Sequence, residues 1–332
     1  MAKKLRDQWR EEWYGKLAKL GLNPEDERQY TDAVYEKWLA ERRIHKRIDG
    51  ALTIEAEAAK DADAVGYMAR ALVQATLPHS KQTESVFVRE NGNFSMAIMA
   101  HPKIGLPYGA LPRLLMSYLT TEAVRTKSRD IELGGSLTEF MAHLGEDDPT
   151  GGRTGSIPRV KEQTMRLFSS SISCTYTADD RMGGINMALA DSYELWWNPK
   201  QPDQQSLFTS SVRLGERFYQ EVTERPVPVD LRVLRELKKS PMQLDIYTWL
   251  TYRMSYLTHP VTIPWSALER QFGAEYGRRY DFVTNFVKQL QNVLVVYSKP
   301  KVDATSAGLR LIAGSSHVPK VRAPKVPKLS QK

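Results

Sequence analysis

One order of sequence patterns occurs twice along this chain, and that repetition restricts the fold more than any other feature. In the first block, Leu111, Leu114, Leu115, Tyr118 and Leu119 fall at helical spacing and precede a short strand-like segment, Ile131-Glu132-Leu133. Ser136-Leu137-Thr138-Glu139 then has the form of a capping box, in which serine and glutamate satisfy each other's free amides, so a helix is predicted from Leu137 until Gly145 stops it. A third helix carries Pro158 in its first turn, where no amide donor is needed. Ser171 to Thr177 and Ile185 to Trp197 read as a hairpin.

The second block repeats the order. Pro228-Val229-Asp230 starts a helix with Leu231, Leu234 and Leu237 inward, and Ser240-Pro241 opens a longer one with Leu244, Tyr247, Trp249, Leu250 and Met254. Val261-Thr262-Ile263 is the short strand, and Pro264 to Gly273 a compact helix. Its successor is expected to bury Val283, Phe286, Val287 and Leu290, followed by a hairpin of Val293 to Tyr297 and Leu309 to Ile312. Helix, strand, helix, helix, hairpin is the order of a winged-helix unit. The expected fold class is therefore α+β and helix-rich, with tandem winged-helix domains at 91–200 and 201–314, an N-terminal helical region and linker at 1–90, and a basic disordered tail at 315–332.

In the N-terminal region, Leu5, Trp9, Trp13, Leu17 and Leu20 form one apolar stripe. Gly21 ends that helix, and Asn23-Pro24-Glu25-Asp26 opens the next with a cap, a proline and acids beside the positive dipole end. A third helix is predicted from Thr53 to Thr76, and Pro78 to Thr83 reads as a linker. These helices either pack on the later units or present Trp9, Trp13 and Trp38 to another protein.

Formal charge of +8 favours a polyanionic partner, but Lys320, Arg322, Lys325, Lys328 and Lys332 supply +5 of it in a tail that also contains Pro319, Pro324 and Pro327. What points to duplex DNA is where the remaining cations fall. The third helix of the first block leaves Arg159, Glu162, Gln163 and Arg166 opposite its apolar stripe, and these side-chain types distinguish base pairs in the major groove. In the second block the equivalent helix leaves Arg278, Asp281, Thr284, Asn285 and Lys288 outward, with Arg279 also assigned to DNA. Arg153, together with Lys299 and Lys301 at the hairpin tip, suits backbone phosphates.

Catalysis is not expected. The chain lacks a Gly-x-x-x-x-Gly-Lys-Ser/Thr phosphate loop, its six histidines are scattered without metal-ligand spacing, and no base accompanies Ser169 to Ser171 near the lone Cys174. No cofactor or metal is expected. A single cysteine suits a reducing compartment, and no run approaches the roughly 20 apolar residues that span a bilayer, so the cytoplasm is the expected location and a membrane is not an expected partner.

Gly105-Leu106-Pro107-Tyr108-Gly109, Leu119 to Thr126, Ile131 to Gly134, Ser136 to Phe140, Thr150-Gly151-Gly152-Arg153, Phe168 to Thr175, Trp196-Trp197 and Pro226 to Asp230 resemble the plasmid-encoded RepA replication initiator family of bacteria. The resemblance runs from about 94 to 312. It implies binding to repeated origin sites (iterons), opening of AT-rich DNA, repression of its own promoter, and recruitment of host DnaA and the DnaB helicase; a second copy of the chain is a further candidate partner, and the sequence leaves the balance of monomer and homodimer open. Without a motor motif, the unwinding energy must come from such a recruited helicase. The alternative is a winged-helix transcriptional repressor with no replication role.

Overall fold

A computed structural model describes Tyr35, Ile54 and residues 58–318, apart from 153–154, 179, 199, 205, 207, 274–275 and 315. Contacts divide the chain into two units, Met1–Thr53 and Ile54–Lys332. Of the first unit only Tyr35 is described, and it is helical. The helices expected around Trp9, Trp13 and Trp38, the site residue Arg153, and the tail from 319 onward lie outside the described residues.

The second unit opens differently from the expected helix over Thr53 to Thr76. A turn at 59–63 leads to strand β1 (Val65–Met68) and a short helix α1 (Arg70–Gln74). The cause is a distant partner: β1 pairs antiparallel with β9 (Val227–Asp230), from Val65 opposite Asp230 to Met68 opposite Val227. Gly66 permits the close approach, because a side chain there would meet Leu231 Cδ2 at 2.2 Å. Tertiary pairing overrides the helix propensity of an alanine-rich stretch. Nor is 78–83 a free linker, since Leu77 and Pro78 are buried and their carbonyls accept hydrogen bonds from Arg113.

The first series then follows: β2 (Val86–Asn91), β3 (Phe94–Met99), α2 (Ala110–Thr126), β4 (Asp130–Glu132), α3 (Leu137–His143), α4 (Ser156–Phe168), β5 (Ser171–Ala178), β6 (Arg181–Ala188) and β7 (Ala190–Glu194). Ser136 Oγ accepts from Glu139 N at 3.1 Å, as the capping box requires, and Glu139 Oε2 accepts from Gly135 N at 2.9 Å. The hairpin is shorter than expected, because the strand from Arg181 breaks at buried Leu189 and β7 joins another sheet. β5 and β6 extend β2 and β3 into a four-stranded sheet ordered β2-β3-β5-β6. Phe87, Met96, Ile98, Ile172 and Met187 alternate onto its buried face. β4 stays out of that sheet and pairs with β8 (Ser211–Leu214), which also pairs with β7.

After α5 (Glu216–Glu224) and β9 comes the second series: α6 (Leu231–Leu237), α7 (Pro241–Met254), β10 (Val261–Pro264), α8 (Trp265–Phe272), α9 (Arg279–Val296), β11 (Lys301–Ala304) and β12 (Gly308–Ile312). Asp230 caps α6 by accepting from Arg232 N, and Ser240 caps α7 by accepting from Gln243 N. The residues expected to form a strand, Val293 to Val296, are instead the last turn of α9. Its buried stripe is Phe282, Phe286, Leu290, Val293 and Val296, which includes the expected Phe286 and Leu290 but not Val283 and Val287, which are half-buried. Aromatic packing explains the choice: Phe286 lies 5.4 Å from Phe272 and 5.5 Å from Phe282, ring centre to ring centre.

β10, β12 and β11 form a sheet in that order, so the strand before α8 pairs with the last strand of the hairpin. Gly308, opposite Pro264, is where a side chain has no room: a Cβ would fall 2.1 Å from Ile263 O. Gly308→Ala is expected to pry β12 from β10 and cost about 1–3 kcal/mol, the scale of an overpacking substitution. Urea denaturation checks the loss, and faster amide exchange at Leu309 and Leu311 would locate it.

Candidate nucleic-acid interface

In the second series, α9 presents a continuous exposed row at helical spacing: Tyr280, Thr284, Lys288, Gln291 and Val295. Tyr280 is 76% exposed, more open than Val295 at 43%. Thr284 and Lys288 thus lie outward as the periodicity indicates. Asn285 does not join them. It is half-buried, and its amide donates to the Tyr276 hydroxyl and accepts from Gln289. Arg278 and Arg279 are exposed but held by acids, Arg278 Nε at 2.8 Å from Asp281 Oδ2 and Arg279 Nε at 2.7 Å from Glu269 Oε2. Exposed pairs of this kind are worth little and can be exchanged for another anion at small cost.

Lys299 and Lys301 are exposed but not at the hairpin tip. Lys301 opposes Ile312, at the base of the hairpin, and Lys299 precedes it, so the tip is the uncharged Thr305-Ser306-Ala307. Starting the strand after α9, not inside it, moves both lysines to the opposite end. Arg310, exposed on β12 between Asp303 and Thr262, is the cation of the strands that the sequence reading missed. The alternation Leu309-Arg310-Leu311 was the available signal, as period two puts the arginine opposite the two buried leucines.

The first series departs further. On α4, Arg159 is exposed, and its Nε donates to Gly155 O at 3.1 Å. Gln163 and Arg166 are buried, at 4% and 8% exposure, and do not face a groove of DNA. The segment before α2 covers them: Gln163 Oε1 accepts from Tyr108 N at 2.9 Å, and Arg166 Nη1 donates to Leu106 O at 3.1 Å. Arg166 also pairs with Glu162 at 2.8 Å and lies 5.5 Å from the centre of the Tyr108 ring. Long polar side chains can bury their stems when their ends find partners, so an apolar stripe underestimates how much of a helix is covered.

Alongside Arg159 and Gln163 runs a groove of about 520 Å³ whose other wall is the α6–α7 turn, with Lys238 and Lys239. Lys239 is exposed, whereas Lys238 is tied to Gly145 O and, at 3.8 Å, to Glu146. Among the described residues no group of three or more His, Cys, Asp or Glu side chains is placed to hold a metal ion, and no helix is long and apolar enough to cross a membrane.

These elements define a mixed α/β protein with several sheets. Residues 106–265 match the family described as plasmid encoded RepA protein. No curated protein matches the chain. Among solved structures, a selenomethionine crystal form of domains 2 and 3 of RctB is similar at a TM-score of 0.48 and 12% identity, covering 74% of this chain and 96% of that one. A second crystal structure of RctB domains 2–3 gives 0.44 and 12%, covering 73% and 96%.

Proposed function

We propose that this chain is a plasmid replication initiator that binds repeated duplex sites at an origin, promotes local melting and recruits host proteins, DnaA and the DnaB helicase, without chemistry of its own. The family match over 106–265 carries the reading. The second series supports a winged-helix reader within it: α7, β10, α8, α9, β11 and β12 follow that order, and the β10-β12-β11 sheet leaves the α9 row of Thr284, Lys288 and Gln291 uncovered. Thr284 and Gln291 are the base-edge candidates, and Lys288, Arg310 and Lys301 the phosphate contacts. In the first series Arg159 remains a DNA candidate, while Gln163 and Arg166 hold the Gly105–Tyr108 segment in place.

Nuclease footprinting on the DNA flanking the gene tests this directly. Protection at repeated sites is expected, together with replication of an origin fragment when the protein is supplied in trans. A chain that protects DNA but supports no replication is a repressor, and the initiator reading is then wrong. Within the footprint, Lys288→Ala is expected to weaken binding to all sequences and lower the salt slope by about 1, whereas Thr284→Ala relaxes preference at one base pair by about 1–3 kcal/mol. Equal effects of both variants on every sequence would rule out α9 as the base reader.

A further inference from the structure

We infer that the groove between α4 and the α6–α7 turn is a binding site for a phosphate group; its use on DNA rests on the initiator reading, whereas the site itself does not. Three cations converge there, Arg159 from α4 and Lys238 and Lys239 from the turn, against the one acid Glu146, which Lys238 already pairs. The N-terminus of the 17-residue helix α2 contributes Ala110 and Leu111 to the same groove. Gly109 precedes that helix with no side-chain cap, so its positive end and first amides remain available. The α7 N-terminus adds Pro241. The amides at the start of α4 are already taken by Thr150, so α4 contributes side chains instead.

Gln163 is the observation that points to a ligand. It is 4% exposed, its carbonyl oxygen accepts from Tyr108 N, and its amide nitrogen has no hydrogen-bond partner among the described residues. Fixing the oxygen fixes the whole planar amide, and Gln163 lines the groove, so an otherwise buried side chain opens its NH2 donor onto it. An oxyanion with several acceptor oxygens can accept from this fixed donor while meeting the cations. A phosphate fits this set better than a carboxylate, having enough oxygens for an arginine, a lysine, an amide side chain and backbone N–H groups at once.

Phosphate could come from the DNA backbone or from a free phosphate-bearing molecule, and two measurements separate them. In the first, inorganic phosphate is titrated into the full chain at constant ionic strength against chloride. Shifts of the Ala110 and Leu111 amides and the Gln163 side-chain NH2 are expected, and all three are lost in Gln163→Glu, which keeps the acceptor for Tyr108 N. In the second, duplex affinity is measured against salt for the wild type, Lys239→Gln and Arg159→Gln, both at exposed positions. Each variant is expected to bind about tenfold more weakly, as for one charge-assisted hydrogen bond, and to lower the salt slope by about 0.9.

Phosphate shifts without any change in DNA binding would assign the groove to a free phosphate ligand and overturn its use on DNA. Shifts in a chain that does not bind duplex at all would sink the initiator reading and leave the groove standing. No shift with phosphate, and DNA binding unaltered in both surface variants, overturns the site. Should Gln163→Glu fail to fold, Lys239→Gln in both measurements decides.

Discussion

Arg113→Ala is expected to destabilise the second unit by about 3–5 kcal/mol, the cost of removing one partner of a buried ion pair. Arg113 is 4% exposed and its guanidinium is fully engaged: Nε lies 2.6 Å from Asp245 Oδ1, Nη2 2.7 Å from Asp245 Oδ2, and the remaining donors reach the carbonyls of Leu77, Pro78 and Gly109. Alanine removes a donor from three carbonyls and leaves the buried Asp245 carboxylate with its His79 hydrogen bond but no paired charge. The Asp245 carboxyl is driven up by burial but held below its usual 3.8 by the Arg113 charge and by hydrogen bonds from His79 and Arg113. Its contribution is thus present above the unfolded value and lost as pH falls through the lower folded one. Without Arg113 burial dominates and that carboxyl should take up a proton at higher pH. Urea denaturation measures the loss. The double replacement Arg113→Met with Asp245→Leu should recover part of it, because a well-packed apolar pair can substitute for a buried charged one. A loss below about 1 kcal/mol for the single variant would mean that this pair does not hold α2, α7 and the 77–78 segment together.

Acidification should unfasten the segment after β12. His317 Nδ1 lies 3.0 Å from the Tyr247 hydroxyl, its ring stacks on Tyr297 at 4.6 Å, and Val318 beyond it is buried. The pKa of His317 is lowered to about 4, chiefly by burial; Asp230 opposes the shift, and Lys299 and Arg232 add to it. His79 is shifted the same way, lowered by burial against its hydrogen bond to Asp245. In the unfolded chain a histidine takes its proton near 6.5, so between there and about 4 the unfolded state binds more protons. The stability from His317 is therefore fully present above pH 6.5 and lost as pH falls toward about 4, by up to about 3 kcal/mol at about 1.36 kcal/mol per unit. Urea midpoints at pH 7, 5.5 and 4.5 should fall in that order, and His317→Asn should flatten part of the decline. Equal midpoints across that range would show that neither histidine is buried in its neutral form.

Local signals carried the readings that succeeded. The capping box at Ser136, the Ser240-Pro241 start of α7 and the Val261 to Ile263 strand are each defined within a few residues, and each stands where the sequence puts it. Tandem order was also legible, since it is a succession of such local patterns. Pairing partners were not. Nothing within Val65–Met68 indicates β9, and nothing in Asp130–Glu132 indicates that β4 joins β8 and not the hairpin of β5 and β6. Of the proposed DNA contacts, Thr284, Lys288 and Arg159 were recoverable because exposure there follows helical period, and Arg310 because it alternates with two buried leucines, while Lys239 carries no signal stronger than being charged.

By itself, the sequence determined many of the helices and strands, where several of them start, and that the order helix, strand, helix, helix, hairpin occurs twice. Those properties rest on backbone propensity, capping and apolar period, all acting over one or two turns. Only the tertiary structure decided that Gln163, Arg166 and Asn285 turn to internal partners, that Lys299 and Lys301 sit at the hairpin's base, and that Arg159, Lys238 and Lys239 meet across one groove. The physical reason is that a polar side chain goes wherever its hydrogen bonds are met, and the groups that meet them, such as Leu106 O and Tyr108 N, are brought by chain segments about 60 residues away.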